Sequence, residues 1–220
     1  MATVQARSPE SMTNGSTVTD LIRSLGNVPA RRVRVVPPPG TATEDDLLAN
    51  NEDPFRSALC ELVAGTLVEK PTGIEESEIA VLIGAALGNF VYPRKLGMLL
   101  APDGMLRLMP GLVRTPDVSF ISRESYHGGK KPVGPIAPTA PDLAVEILSK
   151  SNSKTEMNRK LREYFDAGTW LVWYVDPRKK TVRVHTSPSE AVTLEMTDHL
   201  DGGAVLPGFT LAVRDLFERE

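Results

Sequence analysis

The sequence predicts an α/β fold, with a mixed β-sheet and helices on its faces. Short apolar runs typical of strands alternate with two amphipathic helical segments, in the order helix, strands, helix, strands. Of the 220 residues, 41% are hydrophobic, which is enough for one good core. The formal net charge of −3 and pI near 5.7 counts mildly against a nucleic-acid-binding surface without excluding one.

Three regions are expected along the chain. Residues 1–16 are small and polar and predict a disordered tail. Residues 17–54 read as an accessory segment, with a short helix in TVTDLIRSLG, an extended RRVRVV, and a capped helix start at Thr43. Residues 55–220 form the core domain, with no internal linker or repeat.

The first half of the core predicts two strands, a helix and a hairpin. CELVAGTLVEK indicates two short strands around Gly65. ESEIAVLIGAALGNFV, residues 76–91, has the apolar stripe of an amphipathic helix. GMLLAPDGMLRLMP predicts a hairpin whose turn holds Asp103, followed by glycine.

The second half predicts two strands, a helix and another hairpin. LVRTPDVSFIS and PDLAVEILS are taken as one strand each, separated by a Gly/Pro-rich loop. Ser153 and Glu156 make a capping box for a helix that ends at Gly168. WLVWYV and TVRVHT then predict a hairpin around residues 176–180.

Several kinds of function are excluded by absent signatures. There is no Gly-x-Ser-x-Gly elbow, no phosphate-binding P-loop and no dinucleotide glycine fingerprint. His127, His185 and His199 lack the spacing of zinc ligands, and we expect His185 to be a surface or hydrogen-bonded residue of a strand.

The sequence also predicts a cytoplasmic location. Cys60 is the single cysteine, which rules out an internal disulfide and suits a reducing compartment. The first residues lack the apolar region of a signal peptide, and no stretch approaches the ~18 apolar residues of a membrane helix.

Glu146 is the residue from which a functional site can be inferred. It is the single charge within LAVEIL, where both faces of the strand are otherwise apolar. Burying an unpaired carboxylate costs several kcal/mol, so Glu146 needs a proton, a cation or a metal ion.

Asp117 is favoured over Asp142 as the acidic partner of Glu146. Asp142 shares the face of Glu146, but four residues along one strand separate the two by ~13 Å, too far to share an ion. Asp117 begins a separate strand, which would lie ~4.8 Å away if the two strands are neighbours. The alternative for Asp117 is an ordinary turn aspartate, to which the residues alone give about equal weight.

The helix after Glu146 offers two lysines. Lys154 and Lys160 both flank its apolar stripe, and a long lysine side chain can follow that surface to the sheet. The alternative for Lys160 is an exposed pair with Glu156 at i,i+4. On the first core helix, Glu75 and Glu76 flank the apolar face, and the alternative for both is a favourable charge at the helix N-terminus.

Six segments carry a resemblance to a known family. They are, in order, ELVAGTLVEKP, GLVRTPDVSFIS, PDLAVEILSKSN, RKLREYFDAG, LVWYVDPRKKTVRVHTS and LPGF. In order and spacing they resemble the Uma-type family of putative restriction endonucleases, within the PD-(D/E)XK nuclease superfamily. The resemblance spans roughly residues 17–218 and implies a restriction-endonuclease-like fold.

The resemblance also implies a metal-dependent site. Asp117 matches the motif aspartate of the superfamily, Glu146 its (D/E) residue, and Glu76 the acidic position of the first helix. Asp117, Glu146 and the backbone carbonyl of Ile147 would then hold Mg²⁺ or Mn²⁺, with DNA as the substrate. A homodimer is expected from the same resemblance.

One departure from the superfamily concerns the lysine. Leu148 stands two residues after the acid, where the superfamily usually has lysine, and Lys160 matches the place from which this family supplies one. Two alternatives follow: a catalytically weak or retired nuclease fold that serves as a homodimeric protein-interaction scaffold, and a metal-dependent enzyme acting on RNA or a small phosphoester.

Overall fold

The computed structural model describes residues 17–55, 58–71 and 73–218. The tail predicted to be disordered, residues 1–16, lies outside these residues. The described part contains four α-helices: α1 (Val18–Ser24), α2 (Glu44–Glu52), α3 (Ile74–Val91) and α4 (Lys154–Asp166). Within it, no helix is long and apolar enough to cross a membrane.

The described residues form thirteen strands in three sheets. The bounds are β1 (Cys60–Val63), β2 (Thr66–Glu69), β3 (Gly97–Leu100), β4 (Met105–Met109), β5 (Leu112–Arg114), β6 (Val118–Ser122), β7 (Ile136–Ala137), β8 (Leu143–Ile147), β9 (Leu171–Asp176), β10 (Thr181–His185), β11 (Ala191–Leu194), β12 (His199–Gly202) and β13 (Leu206–Ala212). The central sheet has the order β11-β10-β9-β8-β6-β3, and a second sheet has the order β2-β1-β5-β4-β7. Strands β12 and β13 pair with each other.

The central sheet is mixed, as the sequence predicts. Strands β8 and β9 run parallel and are connected through α4, whereas the other neighbours in this sheet pair antiparallel. Leu143, Val145 and Ile147 of β8 belong to the core cluster that also contains the buried face of α3. Ala144 points to the opposite face, where α1, α4 and the second sheet pack.

The helix boundaries follow capping signals visible in the sequence. Thr43 and Ser153 each begin a helix, and each forms a capping box with the acidic residue three positions later, Asp46 or Glu156. Gly168, which has a φ of +98°, follows the end of α4 as predicted. In the accessory segment, Ala30–Arg32 form a 3₁₀ turn where an extended chain was expected.

Two strand predictions are wrong, for one physical reason. GMLLAPDGMLRLMP is not a hairpin, because β3 pairs with β6 in the central sheet and β4 pairs with β5 in the second. LVRTPDVSFIS is likewise two strands, β5 and β6, in different sheets. In both stretches a proline lies in the break between the strands, where the chain leaves one sheet for the other.

Candidate active site

Asp117 and Glu146 lie beside each other on neighbouring strands. Val118 is opposite Val145 in the antiparallel pair of β6 and β8, so Asp117 follows opposite Glu146. The backbone N–H of Asp117 donates to Val145 O (2.9 Å), and Asp117 Oδ2 accepts from the N–H of Ile147 (2.7 Å). The expectation that these strands are neighbours is confirmed.

Asp142 has a separate task at the other end of β8. Its carboxylate accepts from the N–H of Ser122 (2.6 Å) and from the hydroxyl of Ser125 (2.7 Å). These bonds tie the turn after β6 to the start of β8, which agrees with its separation from Glu146.

Lys160 reaches Glu146 from α4. Its Nζ lies 3.0 Å from Glu146 Oε1 and 3.1 Å from Oε2, and both side chains are buried. The alternative pairing with Glu156 does not form, because Arg32 binds Glu156 through two hydrogen bonds of 2.8 and 3.0 Å. Lys154, the other candidate, is exposed at the first position of α4.

The same cation joins a second carboxylate that sequence reasoning missed. Lys160 Nζ lies 3.1 Å from Oε1 of Glu61, a buried residue of β1. Oε2 of Glu61 accepts from the guanidinium of Arg114 (2.7 Å), which also binds Glu163 on α4. Tyr164 completes this group, since its hydroxyl donates to Glu146 Oε1 at 2.5 Å.

A lysine that sequence reasoning also missed binds Asp117. Lys70, at the end of β2, lies with its Nζ 2.9 Å from Asp117 Oδ1. It also donates to the carbonyls of Thr115 (2.6 Å) and Pro102 (3.0 Å). An ammonium has three protons, so these three acceptors use its full donor capacity.

Burial and mutual repulsion set the protonation of the carboxylates. Burial raises the pKa of Glu146, and the negative charges of Asp117 and Glu61 add to this, although Lys160 opposes it. Burial acts in the same direction on Glu61, but the positive charges of Lys160 and Arg114 outweigh it and hold the pKa of Glu61 below its usual range. The carboxylates in turn raise the pKa of Lys160 against the effect of burial, so this lysine stays charged at neutral pH.

Two other positions singled out by the family resemblance, Glu76 and Leu148, make no contact with Asp117 or Glu146 among the hydrogen bonds and ion pairs of the described residues. Glu76 lies near the N-terminus of α3, with its carboxylate folded back against Gly73. Among the described residues, no hydrogen bond or ion pair joins it to Asp117 or Glu146. Leu148 is partly buried in the core cluster beneath α4, and its N–H donates to Val175 O.

Solvent reaches this group from the side of Asp117. A groove of about 310 Å³ runs along α3 and ends at Asp117, between Pro102 and Val118. The side chain of Asp117 is 14% exposed and that of Glu146 is 6% exposed. A ligand would therefore meet Asp117 first.

The donor set suits a hard divalent cation. Asp117 and Glu146 lie opposite each other on neighbouring strands, and Mg²⁺ and Mn²⁺ prefer oxygen ligands. A cation there would also relieve the repulsion that raises the pKa of Glu146. Within the described ranges, no cluster of three or more His, Cys, Asp and Glu side chains is arranged to hold an ion, so backbone or water oxygens would complete the ligand set.

Of the residues that sequence reasoning missed, Glu61 could have been recognised from its position, whereas Lys70 and Arg114 could not. Glu61 interrupts an apolar strand between Cys60 and Leu62, the same signal that identified Glu146. Lys70 and Arg114 end short strands next to polar residues or proline, a position that is ordinary for a surface charge. Their burial depends on the packing of the second sheet against the central one.

Comparison with known proteins identifies the family of this chain and a solved structure with a similar fold. The profile of the family Uma2, described as "Putative restriction endonuclease", matches residues 51–214. The fold is similar to a crystal structure described as a putative nuclease belonging to DUF820 from Anabaena variabilis, with 22% identity and a TM-score of 0.67 over 80% of this chain and 97% of the other. The comparison with curated proteins gave no match. Because the family profile spans most of the described core, this chain belongs to the Uma2 family.

Proposed function

We propose that the protein is a Mg²⁺- or Mn²⁺-dependent endonuclease that hydrolyses phosphodiester bonds in DNA. The observation that carries the proposal is the pair Asp117 and Glu146, side by side on neighbouring strands and reached by Lys160. The family description, and that of the solved structure with a similar fold, support the same chemistry.

Asp117 and Glu146 would hold the metal, with the carbonyl of Ile147 as the backbone ligand. The bound metal would polarise the scissile phosphate and lower the pKa of a coordinated water. Asp117 would be the first ligand to meet it, because the groove along α3 opens there. Lys70 now neutralises Asp117, so this ion pair is the contact that metal binding must weaken.

Lys160 would position Glu146 for metal binding from the buried side of the site. Its ammonium is buried and shared between Glu146 and Glu61, so it opposes the rise in the pKa of Glu146 and fixes the direction of this carboxylate. Tyr164 fixes the same carboxylate through its hydroxyl. The permanent positive charge of Lys160 also favours the negative charge that develops on the phosphate.

Basic residues around α4 would contact DNA phosphates. Arg159 and Arg162 lie on this helix, and residues 178–180 form the turn between β9 and β10. Arg162, Arg178 and Lys179 are exposed, as phosphate contacts require. Glu76, by the resemblance, would hydrogen-bond a water of the metal or help position a second ion.

A plasmid-nicking assay with Mg²⁺ or Mn²⁺ tests the proposal. We expect the wild type to nick supercoiled DNA and Glu146→Gln, which keeps the shape but removes the charge, to lose at least ~100-fold in rate. Glu190→Gln, an exposed residue of the same charge, is the matched control and should cleave like the wild type.

Each result of this assay has a defined meaning. Nicking that persists in Glu146→Gln would contradict the assigned site. If the wild type leaves DNA intact but cleaves RNA or a small phosphodiester, the site stands and the substrate class changes.

A scaffold without activity is the second candidate function, and one observation favours it. The polar groups of the buried site are already satisfied: Lys70 binds Asp117, and Lys160 and Tyr164 bind Glu146. A retired enzyme that keeps its fold for homodimeric protein interactions would need no more than this. Absence of metal binding in the wild type would select this candidate.

A further inference from the structure

A second groove, of about 590 Å³, lies on the other flank of α4. The first turns of α4 form one wall, and strands β10 and β11 form its floor and opposite wall. It shares no lining residue with the group of Asp117, Glu146, Lys160 and Glu61. Its volume falls in the range of small-molecule sites, about 300–1,000 Å³.

His185 is the unusual residue of this groove. The side chain lines the groove and is 97% buried, since its relative exposure is 3%. Neither ring nitrogen has a hydrogen-bond partner among the described residues, although a buried polar atom without a partner is normally avoided. Tyr174 packs on the imidazole with ring centroids 5.2 Å apart, but its hydroxyl already donates to Met157 O. The expectation of a surface or hydrogen-bonded His185 is therefore wrong.

Two cations of the groove are also without partners. Arg183 and Lys154 are exposed, and neither has an ion pair or side-chain hydrogen bond within the described part of the chain. Arg178 and Lys179 differ, because both lie within 4 Å of the carboxylate of Asp176. Lys154 is the first residue of α4, where the helix dipole also favours an anion.

Arg183 and His185 both line the groove, and Arg183 affects the protonation of His185. Burial and, after it, the positive charge of Arg183 lower the pKa of His185 to about 4, so the imidazole is neutral at pH 7. A neutral imidazole donates from one nitrogen and accepts at the other. The groove thus combines four basic residues and two carboxylates, those of Asp176 and Glu195, with one buried donor and one buried acceptor.

We propose that this groove binds a nucleotide through its phosphate group, with Arg183 and Lys154 supplying the charge and His185 a hydrogen bond. A phosphate alone would fill a small part of 590 Å³, and Asn158 and Thr193 offer polar contacts to the rest of a nucleotide. The groove contains none of the residues that would hold the metal, but Arg178 and Lys179, proposed above as contacts to DNA phosphates, also line it. A binding test without divalent metal therefore separates this site from the nuclease activity.

Titration calorimetry of the full chain, without divalent metal, tests the proposal with deoxyadenosine monophosphate and deoxyadenosine. We expect the monophosphate to bind with one-to-one stoichiometry and the nucleoside to bind at least ~10-fold more weakly. Arg183→Gln and Lys154→Gln should each weaken the monophosphate by about tenfold, the loss of one charged hydrogen bond. Arg214→Gln, an exposed arginine outside the groove, should leave the affinity unchanged.

NMR of the His185 imidazole detects a phosphate bound in the groove and would not respond to a phosphate attracted only to surface charges. A phosphate bound beside His185 should raise the pKa of this residue from about 4 and shift its ring resonances, with His199 unshifted. His185→Phe should keep the fold, since it removes two polar atoms without partners, and should weaken the monophosphate.

A further pair of probes distinguishes a free nucleotide from the phosphorylated end of a DNA strand. A short oligonucleotide with and without a 5′-phosphate shows whether the occupant is a strand end, in which case only the phosphorylated form binds and the free nucleotide does not. Absence of binding by any phosphorylated probe, equal binding of nucleotide and nucleoside, or unchanged affinity in Arg183→Gln would each overturn the proposal.

Discussion

At the scale of residues, Lys160 is the cation on which two buried carboxylates depend. Its Nζ lies 3.0 Å from Glu146 and 3.1 Å from Glu61, and all three side chains are shielded from water. The charges of Lys160 and Arg114 hold Glu61 ionised, while burial raises the pKa of Glu146. Removing the lysine would leave excess negative charge in a medium of low polarity.

Lys160→Met should therefore destabilise the fold by about 3–5 kcal/mol, the usual cost of breaking a buried ion pair. Methionine keeps the length and the apolar packing, so the loss measures the charge. Urea denaturation checks the value. Lys154→Met on the same helix is exposed and should change the stability by less than about 0.5 kcal/mol. Equal effects of the two substitutions would contradict the buried network.

His185 should make stability depend on pH between 6.5 and about 4. The folded protein keeps this imidazole neutral down to about pH 4, whereas the unfolded chain protonates near 6.5. The unfolded state therefore binds more protons in that window, and stability falls as the pH falls. Between pH 7 and 4.5 we expect His185 to lower the free energy of unfolding by roughly 2 kcal/mol, and this part of the decrease should be absent in His185→Phe.

Urea denaturation at both pH values, with His199→Phe as the exposed control, measures the difference. An unchanged pH dependence in His185→Phe would show that the ring is not held neutral. Glu61 adds its own acid sensitivity below pH 4.5, so the comparison between variants isolates His185.

At the scale of elements, α4 is fixed by the accessory segment as well as by the core. Arg32, from the turn after α1, makes two hydrogen bonds to Glu156 and one to the carbonyl of Glu69. Ser153, the N-cap of α4, donates to Gly26 O at 2.7 Å. The segment before the core thus holds the helix that carries Lys160.

Arg32→Ala should destabilise the protein by about 3–5 kcal/mol, because Glu156 would stay buried without its cation. Hydrogen exchange should speed up first at the N-terminal turns of α4. Arg31→Ala, the exposed neighbour, should leave both measurements near wild type. If Arg32→Ala behaves like Arg31→Ala, the segment does not hold α4.

At the scale of the whole molecule, the two large sheets meet at the site. Glu61, Lys70 and Arg114 come from the second sheet or its ends, and Glu146 comes from the central one. The site is therefore complete only in the folded protein, and a metal bound there would bind the native state alone.

Mg²⁺ or Mn²⁺ should accordingly raise the free energy of unfolding, by about 2.7 kcal/mol at 100 times the dissociation constant. Thermal denaturation against metal concentration measures this. Asp117→Asn should abolish the effect, whereas Asp142→Asn, whose carboxylate binds Ser122 and Ser125 instead, should retain it. A wild type whose stability ignores both metals would favour the scaffold function.

The sequence by itself determined the local helices and strands and the strand that carries Glu146. The capping boxes at Thr43 and Ser153 and the strand around Glu146 follow from spacing, since neighbours along a helix or strand are fixed by its geometry. Spacing left Lys154 and Lys160 as equal candidates, and the family resemblance favoured Lys160, which the structure places beside Glu146. The approach of Asp117 to Glu146 was inferred only on the condition that their strands are neighbours, and the register of β6 against β8 came from the tertiary structure.

Only the tertiary structure decided which strands share a sheet. The breaks at Pro102 and Pro116 carry the chain from one sheet to the other, and a local pattern cannot distinguish such a crossing from a turn. Lys70, Arg114 and His185 became buried through that packing, because the burial of a charged or polar residue depends on contacts distant in sequence.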